Sequence, residues 1–140
     1  MATGGQGFQQ SFKAGADLNT TTSDFAAVRI GSSMSIQIAN TSTHKAIGIL
    51  QNRPKSGTGS SCWVQFGGVT KVTMNDTCSA NDIIVTGSGG PVKGTGLSIT
   101  AATSRFQIGY ALEASAASGT VISLLLHPGT ISGTLSAAID

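Results

Sequence analysis

What this sequence has least of is charge. Only 10% of its 140 residues are Asp, Glu, Lys or Arg, and the net charge is +2; soluble domains usually carry about 25%. The eight basic residues (Lys13, Arg29, Lys45, Arg53, Lys55, Lys71, Lys93, Arg105) are scattered, and only Arg53 and Lys55 stand close together. That excludes the basic stripe by which proteins hold nucleic acid. Aromatics make up 5%, with one Trp and one Tyr, too few for a platform on which bases or sugars stack. Two cysteines, Cys62 and Cys78, make neither a disulfide framework nor a complete zinc site. They read as free, partly buried thiols or as a single disulfide. The longest apolar cluster, residues 121–126, is interrupted by Ser123 and falls far short of a bilayer span. The first residues lack the basic and apolar regions of a signal peptide, so synthesis in a cytoplasm, with reduced thiols, is expected.

Catalytic groupings are missing as well. The acids Asp17, Asp24, Asp76, Asp82, Glu113 and Asp140 form no pair at short spacing, and most stand where turn or cap residues belong. His44 and His127 have no second ligand at metal spacing. In the glycine-rich stretch at residues 87–95 the order is Lys93-Gly94-Thr95, whereas a phosphate cradle needs Gly-Lys-Ser/Thr opening a helix. No G-x-S-x-G elbow occurs, and Cys62 has no activating neighbour. The expectation is no enzyme, no cofactor and no metal. The three N-x-S/T matches, at Asn19, Asn40 and Asn75, are what chance yields in a Ser/Thr-rich chain.

What is present is β-pattern and a repeat. Residues 47–68, IGILQNRPKSGTGSSCWVQFGG, and 108–129, IGYALEASAASGTVISLLLHPG, each open on Ile-Gly. Each then passes a Ser-Gly turn (Ser56-Gly57, Ser118-Gly119) into a β-rich run. Residues 34–38 alternate apolar and polar strictly, which marks a half-buried strand. Strands are expected over 27–30, 34–38, 45–50, 62–66, 69–74, 82–86, 97–101, 106–112 and 121–126, the last ended by Pro128-Gly129. Its two nearly apolar faces place it centrally or packed on both sides. The fold class is all-β: a small β-barrel or β-tulip-like domain built from two related hairpin units. Residues 1–24 show neither period 2 nor period 3.6 and read as an extended N-terminal arm. Residues 25–129 form the barrel-like domain, and residues 130–140 a C-terminal tail. With charge this sparse, an isolated monomer would tend to associate.

The segment AVRIGSSMSIQIANTSTHKAIGILQNRPKSGTGSSCWVQFGGVTKV resembles the N-terminal half of tailed-bacteriophage capsid decoration (cement) proteins. SANDIIVTGSGGPVKGTGLSITAATSRFQIGYALEASAASGTVISLLLHPG resembles their second half. The closest stretches are Ile47-Gly48-Ile49-Leu50-Gln51-Asn52, Gly68-Val69, and Gly109-Tyr110-Ala111-Leu112-Glu113-Ala114, and coverage runs over roughly residues 25–129. Asn81 stands where that pattern usually has Gly, and acidic residues are fewer. The resemblance implies a β-barrel-like homotrimer on the outer surface of the virion head, bound to the major capsid protein at three-fold or pseudo-three-fold positions. It implies no catalysis, no nucleic acid and no membrane. On this reading Phe8, Phe12 and Leu18 are the anchors of an arm that orders on a partner. Trp63 is either a core residue or a subunit-interface anchor. The alternatives are another β-rich virion module, such as a head-fibre base or tail component, and a small carbohydrate-binding barrel.

Overall fold

Ten strands, with no helix among the described residues, organise the chain. The computed structural model describes residues 8–19, 24–41, 43–52, 54, 57–94 and 105–131. The first five strands are β1 (Gln9–Ala14), β2 (Ala27–Ile30), β3 (Ser35–Ile38), β4 (Gly48–Leu50) and β5 (Ser61–Gln65). They close into a barrel in the order β1-β3-β2-β4-β5, with β1 and β3 parallel and β1 antiparallel to β5. The second five are β6 (Gly68–Thr73), β7 (Ile83–Gly87), β8 (Gly90–Lys93), β9 (Arg105–Ala111) and β10 (Val121–Ile131). They form a sheet in the order β6-β10-β9-β7-β8. The all-β class and the barrel expected from the sequence are therefore present.

The two halves share one topology. Reading the barrel as β1-β5-β4-β2-β3 and adding five to each number reproduces the second sheet strand for strand. Registers agree residue by residue. Phe12 faces Cys62 as Val72 faces Ile122, and Leu50 faces Val64 as Ala111 faces Leu124. Gly59 and Gly119 take the same left-handed turn two residues before β5 and β10, with φ of 94° and 91°. Their amides donate to Ala14 O and Met74 O, whose own amides donate back to Ser60 O and Thr120 O. The sequence repeat is thus the hairpin β4–β5 and its counterpart β9–β10. Its Ile-Gly pairs have a steric cause. A Cβ on Gly48 would stand 2.3 Å from Gln65 O, and one on Gly109 would stand 2.1 Å from Leu125 O, so each strand crosses its partner too closely for any side chain.

The halves differ in closure. Gly15 N donates to Ile36 O where β1 meets β3, and Asn75 N donates to Pro91 O at the equivalent place. In the second half this bond, the Asn75 Nδ2 to Ser88 O bond and the Lys93 N to Asp76 Oδ2 contact stand in place of the β1–β3 pairing. Pro91 on β8 leaves no amide to extend pairing there. The open side is covered instead by the barrel wall. One apolar cluster fills the barrel: Ala14, Leu18, Val28, Ile36, Leu50, Cys62 and Val64, with Phe12, Ile38 and Ile47 packed on it. The other combines the inner face of the second sheet (Val72, Met74, Ile84, Ile108, Ile122, Leu124) with Ala27, Ala39, Ala46 and Ile49 from the barrel's outside. Each fully buried Ile or Leu contributes about 1.5–3 kcal/mol of transfer free energy. Because the clusters share the walls β2 and β4, the halves stabilise one another.

Several expectations are corrected. Of the arm expected over residues 1–24, residues 1–7 and 20–23 lie outside the described residues, and the described part does not stand apart, because Gln9–Ala14 is the strand that closes the barrel. Leu18 is 1% exposed inside it. The domain therefore starts before residue 25. Pro128-Gly129 does not end the last strand, since a register shift between Leu126 and Gly129 accommodates Pro128, Gly129 pairs with Gln107, and pairing continues to Ile131. The tail accordingly begins within β10, and residues 132–140 lie outside the described residues, as does the strand expected over 97–101. Residues 90–93 form a strand where a loop was expected. Asn81, where the resembled pattern has Gly, takes φ of 75°, a conformation that Gly adopts freely and Asn tolerates best among the others.

Candidate interaction surfaces

The polar side chains able to carry chemistry are engaged in hydrogen bonds within the fold. Asp17 Oδ1 accepts from Asn19 N, Asp82 Oδ2 from Ser79 N, and Asp76 Oδ1 from Thr77 N. Glu113 Oε2 accepts from Ser123 N at 2.7 Å, and hydrogen bonding from Ser123 holds its carboxyl below the usual range. Lys71 Nζ lies 4.0 Å from the same oxygen. His44 Nδ1 accepts from Asn40 N at 3.2 Å. Its pKa is lowered by burial first and by the Arg29 charge second. His127 Nδ1 meets Gln107 Nε2 at 3.1 Å, and its ring tilts against Tyr110. No group of three metal-ligating side chains occurs among the described residues, and no helix is long and apolar enough to cross a membrane.

Cys62 and Cys78 are buried and free, one in each apolar cluster, and burial pushes both thiols up. Residues 87–90 form the turn of the β7–β8 hairpin, tightened by Gly89 and Gly90 at positive φ. No phosphate-cradling helix follows in the described part.

The four predicted contact residues separate. Leu18 is buried in the barrel core, and Phe12, half-buried, packs against it. Phe8 is 73% exposed and stacks on Phe66, with ring centroids 6.4 Å apart. Trp63, directly across from Ser11 on the outer side of β5, is 49% exposed, so it is not a core residue. The barrel half thus exposes the stacked pair Phe8–Phe66 and, separately, Trp63.

A second surface went unnoticed in the sequence. On the outer face of the second sheet Val69, Leu125, Tyr110 and Ile83 lie directly opposite one another across β6, β10, β9 and β7. Val69 is 48% exposed and Leu125 is 39% exposed, with Leu112 and Val121 also open to solvent. The signal was the double-faced apolar pattern of residues 121–126, half of which is the uncovered outer face. Lys71 and Glu113, the charges beside this row, neutralise each other.

A scan against protein-family models finds no match to this chain, and a search of curated proteins finds none either.

Proposed function

We propose that this chain is a structural virion protein that decorates and cements a tailed-phage head, binding the major capsid protein lattice from outside as a homotrimer. The observation that carries the reading is the set of exposed apolar surfaces, on both halves, of a scaffold whose Asp17, Asp82 and Glu113 carboxylates accept hydrogen bonds from its own backbone. A cement protein needs two such surfaces, one for its own copies and one for the lattice. The stretches that resemble decoration proteins also support it: they run through β4 and β9 at equivalent places of the two halves. Asn81 holds a backbone conformation that the pattern's Gly would adopt.

The physical logic is linkage. A ligand that binds only the assembled lattice stabilises it by mass action, and three linked copies multiply weak single contacts. In this reading Phe8, Phe66 and Trp63 meet the capsid protein. The test is co-sedimentation of the purified protein with phage heads that lack a decoration protein, followed by heating of the heads. Saturable binding and a raised disruption temperature are expected, and Trp63→Ala should weaken binding without changing oligomeric state. Failure to bind expanded heads of any such phage, with the protein folded, would overturn the reading.

A further inference from the structure

We infer that the outer face of the second sheet, the row Val69–Leu125–Tyr110–Ile83, is the surface on which a second copy of this chain docks. The argument comes from the equivalence of the two halves. In register, Ile83, Tyr110, Leu125 and Val69 correspond to Ala27, Ile49, Gln65 and Gln9. In the first half this face is already an interface. Ala27 and Ile49 are buried in the cluster shared with the second sheet, and Gln65, 2% exposed, donates from Nε2 to Gly67 O and Val69 O across the seam. The same face of the same topology is therefore covered once within the chain and left open once.

The open copy is also the more apolar. Where the first half has Gln65, buried at the seam, and Gln9, exposed at the edge of the row, the open face has Leu125 and Val69, which water solvates poorly. Its nearest charges, Lys71 and Glu113, stand 4.0 Å apart, so the face is electrically neutral and brings no repulsion when it meets another copy. A partner of unrelated sequence would have to match that neutrality independently, whereas in a row-against-row contact a second copy matches it by construction. Interface cores are depleted of charge in this way.

This assigns the surface for self-association, and it rests on the proposed function only for the number of copies. A three-fold ring needs a heterologous contact, in which the row meets a different surface of its neighbour, whereas row against row gives a two-fold dimer.

The experiment is sedimentation of the full chain at micromolar to submillimolar concentration, alongside Leu125→Glu and Val69→Glu. Both positions point outward, so the variants retain the native circular dichroism spectrum. Val69 lies on the edge strand and serves as the second variant if Leu125→Glu does not fold. The wild type is expected to sediment as an oligomer and both variants as monomers, with at least about a hundredfold weaker association, as expected when a charge is buried against an apolar partner surface. A monomeric wild type, or variants that keep the oligomer, overturns the inference. A wild-type dimer abolished by Leu125→Glu upholds it and removes the trimer from the proposed function. An intact trimer that binds no heads leaves it standing while refuting the decoration role.

Discussion

Leu18→Ala separates two physical pictures of the first twenty residues. If they were an arm awaiting a partner, trimming Leu18 in the isolated protein would change its stability by no more than about 0.5 kcal/mol, the usual range for surface sites. In the structure Leu18 is 1% exposed and packs with Ala14, Val28, Ile36, Leu50, Cys62 and Val64. Removing three buried carbons from such a site loses their transfer free energy and leaves a void, together about 2–5 kcal/mol. For a chain of 140 residues the unfolding entropy is about 0.3 kcal/mol/K. A loss of about 3 kcal/mol therefore lowers the melting temperature by about 10 °C. The assay is a urea titration and a thermal melt, with Phe8→Ala as the control, since Phe8 is 73% exposed. If Leu18→Ala melts within about 2 °C of wild type, the barrel assignment of this segment is wrong. The same reasoning says that deleting residues 1–20 removes β1 and opens the barrel, so weakened head binding by that deletion would report unfolding rather than a lost contact.

Gly109→Ala should cost about 1–3 kcal/mol or more, because its Cβ meets backbone rather than a yielding side chain; a urea midpoint equal to wild type would refute the close strand crossing. His44 titrates below its ordinary 6.5, so the unfolded chain takes up the proton first. Its contribution is then complete above about pH 6.5 and fades as pH falls through the lowered folded value; urea midpoints of wild type should drop from pH 7.5 to 5 more than those of His44→Gln, and parallel profiles would count against the burial of His44 and its nearness to Arg29. Cys62 and Cys78, with thiols raised by burial, should react with a thiol reagent far more slowly in the native protein than in denaturant, where two thiols per chain should appear; labelling of the native protein as fast as the denatured one would contradict their placement.

The sequence by itself determined the β class, most strand positions and the repeat. These are local signals: alternation at residues 34–38, turn residues between runs, and an Ile-Gly pair that recurs because Gly48 and Gly109 face the same steric demand. Only the tertiary structure decided the place of β1. Gln9–Ala14 has weak alternation, and its strand character comes from β5, about fifty residues on, and from the parallel neighbour β3. The burial of Leu18 follows from that closure and was invisible for the same reason. Trp63 and Leu125 show the same division: alternation tells that each points away from its strand's other face, but whether that side is core or solvent depends on which layers meet. The barrel wall covers the inner face of the second sheet and leaves its outer face bare, a choice made by packing between the halves, to which no local pattern is sensitive.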